Sequence, residues 1–185
     1  MAPSRVFVAI DLPAETRRVV ETCCWGLAGA RWSDPSQLHL TLRFFAAVSP
    51  ERLQDIADKL ATVEAAPFPL SLRGLGVFPL GQARRARVLW AGVAPAASLR
   101  ALAMAIDAAL GPDEDPATRD GFTPHLTLAR FRSPPGTPLD RFITANAAFA
   151  TAPWTVGGFH LYESTLSPDG ALHTPLRHYP LGKGL

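Results

Sequence analysis

The sequence predicts an α+β fold in which two lobes, each with an antiparallel sheet and flanking helices, are related by an approximate two-fold axis. The tetrapeptide His-Leu-Thr-Leu occurs twice, at residues 39–42 and 125–128, each time within an alternation of apolar and polar residues that is typical of a half-buried strand. Strand-like and helical segments alternate along the rest of the chain, which favours antiparallel sheets covered by helices. With 185 residues, 48% of them hydrophobic, the chain can bury a core without metal or disulfides. We therefore expect one bilobal domain over residues 1–185.

The first half is predicted to run strand, helix, strand, helix and hairpin. Pro13 is well placed for a first helical turn, and Ser49 precedes a second apolar-periodic segment as a helix cap would. Gly29 and the cluster at 33–35 mark the turn before the first motif. The predicted elements are a strand at 5–11, a helix at 14–28, the motif strand at 38–44, a helix after residue 49, and strands at 68–78 and 87–93.

The second half is predicted as a rough echo of the first. Its helix ends at Gly111, a residue that commonly terminates helices, and an exposed acidic loop follows at 112–121. The Pro-Asp-Gly sequence at 168–170 supplies turn chemistry between the last two strands. The predicted elements are a helix at 96–110, the motif strand at 124–131, a helix near 139–149, and strands at 154–163 and 172–179.

Charge and cysteine usage restrict the class of protein. The net charge of +2 is too small for a binder that depends on a basic tail and many phosphate contacts. Cys23 and Cys24 are adjacent, which disfavours an unstrained disulfide and indicates free thiols in a reducing compartment. No run of 18 apolar residues and no signal-peptide pattern is present in the sequence. We expect a cytoplasmic protein with no membrane association and, by default, a monomer.

The chemistry of the repeat follows from strand geometry. Side chains two apart on a strand share a face, so His39 and Thr41 lie together, as do His125 and Thr127. Imidazole can donate or accept a proton near neutral pH, so a facing pair can serve as one acid and one base. Threonine hydroxyls and guanidinium groups bind phosphate oxygens. The constellation therefore predicts hydrolysis of a strained phosphodiester by water, with no nucleophilic side chain and no metal.

Several residues outside the repeat are weaker candidates. Arg43 and Arg130 each follow a motif closely and are predicted to contact substrate, and Phe7 and Tyr162 are candidates for stacking on a base. The loop that carries Arg84, Arg85 and Arg87 is expected to be solvated, or to guide an RNA end if it lies beside a phosphate cleft. The sequence contains no HExxH, CxxC or carboxylate cluster for zinc and no phosphate-binding GxxxxGK[ST] loop. His160, His173 and His178 have no repeated context and are interpreted as surface or hydrogen-bonded structural histidines.

The ordered set of motifs resembles a known family, the 2H phosphoesterases. Within them it is most similar to the bacterial and archaeal RNA 2′,3′-cyclic phosphodiesterases, first named 2′-5′ RNA ligases. The resemblance runs nearly from end to end. It is carried by RVFVAIDLP, LHLTLRF, GVFP, RVLWAGV, TPHLTLARF and LYESTLSPDG.

The resemblance implies a central cleft between the two antiparallel sheets and metal-independent hydrolysis of an RNA terminal 2′,3′-cyclic phosphate to a 2′-phosphate. It implies His39 as the proton donor and His125 as the proton acceptor, with Thr41 and Thr127 holding the phosphate. Its substrates would be RNA ends or small cyclic nucleotides, it would need no cofactor, and 2′-5′ ligation would be the reverse of the same chemistry. Two alternatives stay open, namely a non-catalytic module that binds RNA ends or nucleotides, and a phosphodiesterase for another small cyclic phosphate.

Overall fold

The computed structural model describes residues 4–112, 122–167 and 170–182. Within those ranges it contains nine strands and four helices, together with two short 3₁₀ turns at Pro35–Gln37 and Ala83–Arg85. In chain order the elements are β1 Ser4–Asp11, α1 Ala14–Glu21, β2 Ala30–Trp32, β3 His39–Val48, α2 Pro50–Leu60, β4 Phe68–Phe78, β5 Val88–Ala94, α3 Ala96–Leu110, β6 His125–Phe131, α4 Thr137–Ala145, β7 Trp154–Val156, β8 Gly158–Ser167 and β9 Gly170–Pro180.

The strands form two antiparallel sheets. The first sheet has the order β3-β1-β8-β9, and the second has the order β2-β6-β5-β4-β7. Each sheet contains one of the two motif strands, β3 in the first and β6 in the second, and these two strands lie next to each other where the sheets meet. The predicted α+β fold with two antiparallel sheets is confirmed.

The sheets do not correspond to successive halves of the chain. The first sheet combines β1 and β3 with β8 and β9 from the other end of the sequence. The single strand predicted at 154–163 is in fact two strands separated by Gly157, β7 in the second sheet and β8 in the first. The chain crosses between sheets at a glycine, where the absence of a side chain makes such a change of direction inexpensive.

The region between the first helix and the first motif also differs from the prediction. The helix expected at 14–28 ends at Glu21, because the chain continues as tight turns in which the Cys23 amide donates to the Val20 carbonyl and Gly26 adopts a φ of 78°. The apolar spacing continues past the helix end because Cys23 and Leu27 still pack into the core. Strand β2 is an unpredicted three-residue edge strand that pairs with β6.

One continuous core underlies both sheets, and the leucines of the repeat belong to it. Leu40, Leu42, Leu126 and Leu128 are each at most 7% exposed. Burying a leucine side chain stabilises a fold by roughly 1.5–3 kcal/mol, so these residues fix which face of each motif strand points inward. The histidines and threonines are thereby directed to the opposite face.

Two predicted loops fall mainly outside the described residues. The acidic loop at 112–121 coincides with residues 113–121, and the turn at 168–170 includes residues 168 and 169, none of which the structure describes. Across the described ranges, each helix is too short or too polar to cross a bilayer.

Candidate active site

The two motif histidines occupy equivalent places in the two sheets. Each is partly buried at the start of its strand, on the face opposite the buried leucines. His39 Nδ1 lies 2.7 Å from the carbonyl oxygen of Gln37, and His125 Nδ1 lies 2.8 Å from that of Thr123. A carbonyl can only accept, so Nδ1 carries the proton in both rings. Both histidines therefore leave Nε2 available for proton transfer.

The threonines lie beside the histidines, as predicted. Thr41 and Thr127 share the histidine face of their strands and are partly exposed. The leucine between histidine and threonine in each motif, Leu40 or Leu126, is buried. In the described part of the chain, neither threonine hydroxyl makes a hydrogen bond to another protein group. Both hydroxyls can therefore bind an oxygen of a ligand.

Each motif strand contains the same one-residue shift in register. Against β1, Arg43 pairs with Val8 and Thr41 with Ala9, so Leu42 has no opposite partner. Against β5, Ala129 pairs with Leu89 and Thr127 with Trp90, so Leu128 has none. An extra residue in one strand reverses the inside–outside alternation beyond it. The consequence is opposite for the two arginines that follow the motifs.

Arg43 lies on the core side, which corrects its prediction as a substrate contact. Strict alternation would have placed it with His39, but the extra residue Leu42 turns it inward, and it is only 7% exposed. Its Nη1 donates to Asp107 Oδ1 at 2.7 Å and its Nη2 to the Gly111 carbonyl at 3.0 Å, both at the C-terminal end of α3. Arg43 therefore anchors β3 to a helix.

Arg130 lies on the histidine face. Residues 129 and 131 are buried whereas Arg130 is exposed, because the extra residue Leu128 turns it outward. The positive charge of Arg130 contributes to lowering the pKa of both His39 and His125. The guanidinium is thus within electrostatic reach of both imidazoles.

Both imidazoles are held neutral in the free protein. Burial lowers the pKa of His39 from its ordinary value of 6.5 to about 4; the hydrogen bond to Gln37 and the Asp11 carboxylate act in the opposite direction, and His173 and Arg130 add to the lowering. Burial is also the main cause of the lowered pKa of His125, opposed by the hydrogen bond to the Thr123 carbonyl. A bound anion would offset this desolvation and favour one imidazolium.

Aromatic rings pack around His39, and they correct the prediction for Phe7. The Phe7 ring contacts His39 at a centroid distance of 4.7 Å and stacks on Tyr162 at 5.1 Å, and it is 3% exposed. Too little of it is accessible to stack on a base, so Phe7 supports His39 instead. Tyr162 is partly exposed and donates from its hydroxyl to Asp11 Oδ1 at 2.5 Å; burial, followed by this bond, raises its pKa.

Two further residues belong to this site although the sequence did not indicate them. The His173 ring lies edge-on to His39 at a centroid distance of 5.0 Å, whereas the sequence alone favours a surface or hydrogen-bonded structural histidine. Asp11, at the end of β1, is the strand partner of His39. Together with Tyr162 they line a pocket of about 50 Å³ beside His39. No repeat or spacing marks His173, since only the pairing of β9 with β8 brings it to the site.

The residues that surround His125 differ from those that surround His39. Phe78 meets it edge-on at 4.8 Å and Trp90 lies 6.4 Å away. Among the described residues, no carboxylate shifts the pKa of His125. Among the residues that the structure describes, no three histidine, cysteine or acidic side chains are grouped to hold a metal ion. The site therefore offers two imidazoles, two hydroxyls and a guanidinium, which suit acid–base chemistry on a phosphate.

Comparison with protein families and curated proteins gives one consistent result. Residues 12–167 match the model of the 2′-5′ RNA ligase superfamily. A Thermus thermophilus protein named RNA 2′,3′-cyclic phosphodiesterase is 34% identical over 190 residues, covering 96% of this chain and 90% of that protein. A protein of the same name from Archaeoglobus fulgidus is 30% identical over 176 residues, covering 94% and 98%.

Solved structures agree with these relatives. The crystal structure of TT0787 from Thermus thermophilus superposes with a TM-score of 0.76 at 33% identity, covering 95% of this chain and 97% of that chain. Escherichia coli LigT in complex with 3′-AMP gives a TM-score of 0.75 at 28% identity, covering 98% and 99%. LigT has also been crystallised with phosphate, with a TM-score of 0.72.

Proposed function

The chain belongs to the 2′-5′ RNA ligase superfamily, and we propose that it hydrolyses the 2′,3′-cyclic phosphate at an RNA end to a 2′-phosphate. The observation that carries the proposal is the matched pair of imidazoles, both anchored through Nδ1 and both within the field of Arg130. In this proposal the whole chain is one catalytic unit, because one sheet supplies His39 and the other supplies His125.

The proposed reaction is a single displacement at phosphorus. His125 Nε2 takes a proton from water, and the water oxygen forms a bond to phosphorus as the bond to the ribose 3′-oxygen breaks. His39 Nε2–H gives its proton to that departing oxygen. The products are a 2′-phosphate and a 3′-hydroxyl, and proton exchange with solvent restores both imidazoles. Each acid or base is expected to contribute about 10²–10⁴-fold to the rate.

Negative charge grows on the phosphate oxygens during this displacement. Thr41 and Thr127 would donate hydrogen bonds to them from the two sides, and the Arg130 guanidinium would supply positive charge. The phosphate anion in turn raises the pKa of the neighbouring imidazoles, which supplies the protonated histidine that the ligand-free site disfavours. Substrate binding is therefore part of setting the protonation state.

The surroundings of the two histidines support assigning the acid role to His39. The Asp11 carboxylate raises the pKa of His39, whereas no carboxylate of the described residues does so for His125. The Tyr162 hydroxyl holds that carboxylate in place. An imidazole next to a fixed negative charge is the better candidate to carry the proton once substrate has bound.

Ligation follows from the same geometry. If the 5′-hydroxyl of a second RNA takes the place of water, its oxygen bonds to phosphorus as the bond to the 3′-oxygen breaks, and a 2′-5′ phosphodiester forms. Cleavage of that linkage back to the cyclic phosphate exchanges the roles of His39 and His125. We include this reversible ligation in the proposal, and both directions require an RNA end rather than free phosphate as the partner.

Product identification tests the proposal directly. An oligonucleotide ending in a 2′,3′-cyclic phosphate should yield a 2′-phosphate with the wild-type protein, seen as a distinct ³¹P resonance, and no turnover with His39→Gln or His125→Gln. His178→Gln is a matched control, since that histidine is exposed and lies in another strand. Binding of the oligonucleotide without turnover would identify a binding module. Turnover of other cyclic phosphates alone would identify a different phosphodiesterase.

A further inference from the structure

Arg31 lies directly beside Arg130 on the second sheet. In the pairing of β2 with β6, Arg31 is the opposite partner of Arg130, and residues directly opposite on antiparallel strands point to the same face. Ala30 and Trp32, on either side of Arg31, pack against the core, whereas Arg31 is exposed. Arg31 and Arg130 therefore project together from the histidine face, one strand spacing of about 4.8 Å apart at the backbone.

Such a pair is unfavourable unless something compensates for it. Like charges directly opposite each other on neighbouring strands destabilise a sheet. Within the ranges that the structure describes, neither arginine forms an ion pair with a carboxylate. A bound anion would remove the repulsion, and guanidinium groups suit phosphate because they can donate two parallel hydrogen bonds.

The two arginines stand at different distances from the catalytic histidines. The charge of Arg130 bears on the pKa of both His39 and His125, and that of Arg31 on neither. Arg31 lies on the edge strand β2, one strand outward from β6, which carries both His125 and Arg130. An RNA strand that ends in the site presents its next phosphate one nucleotide away, on the 5′ side of the terminal nucleoside.

We propose that Arg31 binds this neighbouring phosphate of the RNA strand, a site distinct from that of the reacting phosphate. The inference rests on the proposed function, because it takes its direction from the position of the cyclic end. It assigns to the chain a means of distinguishing an RNA terminus from a free cyclic nucleoside phosphate.

Two substrates that differ by one phosphate test the proposal. Adenosine 2′,3′-cyclic phosphate with a 5′-hydroxyl lacks the neighbouring phosphate, and the same nucleotide with a 5′-phosphate has it. Arg31→Gln should raise the KM for the 5′-phosphorylated substrate by about three- to tenfold and leave the KM for the 5′-hydroxyl substrate unchanged. Arg100→Gln, which removes an exposed arginine from α3, controls for the change in net charge.

Salt and a conservative variant sharpen the test. The difference between the two substrates should shrink as ionic strength rises from about 0.01 M to 1 M, where the Debye length falls from about 30 Å to 3 Å. Arg31→Lys should retain part of the preference, because it keeps the charge and loses the paired hydrogen bonds. Equal effects of Arg31→Gln on both substrates, or no effect on either, would overturn the proposal. Absence of turnover of both substrates by the wild-type protein would instead contradict the proposed function.

Discussion

Arg43 is buried whereas Arg130 is exposed, and this difference gives the most specific prediction. In sequence they look alike, each shortly after a His-Leu-Thr-Leu motif, but the extra residue in each strand buries the first and exposes the second. We expect Arg43→Ala to reduce stability with little change in the kcat/KM of the folded protein. We expect Arg130→Ala to reduce kcat/KM with little change in stability.

The magnitudes follow from the contacts. The Arg43→Ala variant would lose two hydrogen bonds, one to the Gly111 carbonyl and one, with an ion pair, to Asp107. The second is weakened because the Asp107 side chain is 55% exposed. The variant would also lose packing over the Phe45 ring, 5.2 Å from the guanidinium carbon. Together these amount to about 2 kcal/mol. For a domain of this size, that corresponds to a fall in Tm of about 4–8 °C. Loss of Arg130, a group aimed at developing charge, should reduce kcat/KM about 10²–10³-fold.

Thermal denaturation followed by circular dichroism and steady-state kinetics on a cyclic nucleotide measure the two effects in the same samples. Arg43→Lys keeps the charge but loses the planar, forked arrangement of donors, so it should show a smaller fall in Tm. This variant keeps the test usable if the alanine variant does not fold. An Arg43→Ala protein with unchanged Tm and lost activity, or an Arg130→Ala protein that is destabilised and active, would refute the register argument.

The remaining predictions concern the histidines. His39→Gln and His125→Gln should each lower kcat by about 10²–10⁴-fold with unchanged Tm, and a smaller loss in either would remove that imidazole from the proton transfers. In the free protein the pKa of both histidines is lowered, that of His39 to about 4, so both limbs of the pH profile of kcat/KM should lie below pH 6.5. The limbs of the kcat profile should lie at higher pH, because we expect the bound phosphate to raise both pKa values. Asp11→Asn removes a charge that raises the pKa of His39, so an NMR titration should show that pKa lowered further; an unchanged or raised value contradicts the acid assignment. Chelator treatment followed by dialysis should leave kcat/KM unchanged, and loss that zinc restores would require a metal-dependent reaction.

The sequence predicts the parts of this molecule that depend on local periodicity. The strand alternation around His39 and His125 is strong enough to assign their faces, and the repeat itself indicates that both belong to one site. The alternation fails just beyond the threonines, because the one-residue shifts at Leu42 and Leu128 are set by pairing with other strands. The spacing does distinguish the two arginines, since Arg43 lies four residues after His39 and Arg130 lies five residues after His125. Phe44 rather than Arg43 is the counterpart of Arg130.

Residues that reach the site from distant parts of the chain are not marked by a repeat or by their spacing. His173 lies 134 positions after His39 (173 − 39), and only the β8–β9 hairpin, attached to β1, brings the two rings together. The first and second halves of the sequence are predicted as the two lobes, whereas the first sheet is closed by strands from the C-terminal end. That closure delivers both Tyr162 and His173 to the first histidine.

This long-range closure explains why two nearly identical motifs need not perform identical chemistry. The local sequence gives both imidazoles the same Nδ1 anchor and the same available Nε2. What differs comes from outside the repeat, namely the Asp11 carboxylate near His39 and the aromatic rings of Phe78 and Trp90 near His125. The Asp11 carboxylate favours a proton on the first imidazole, whereas no carboxylate of the described residues raises the pKa of the second. We therefore propose that the repeat supplies two equivalent proton carriers, and that the Asp11 carboxylate, on a strand paired with the first motif, favours His39 as the donor.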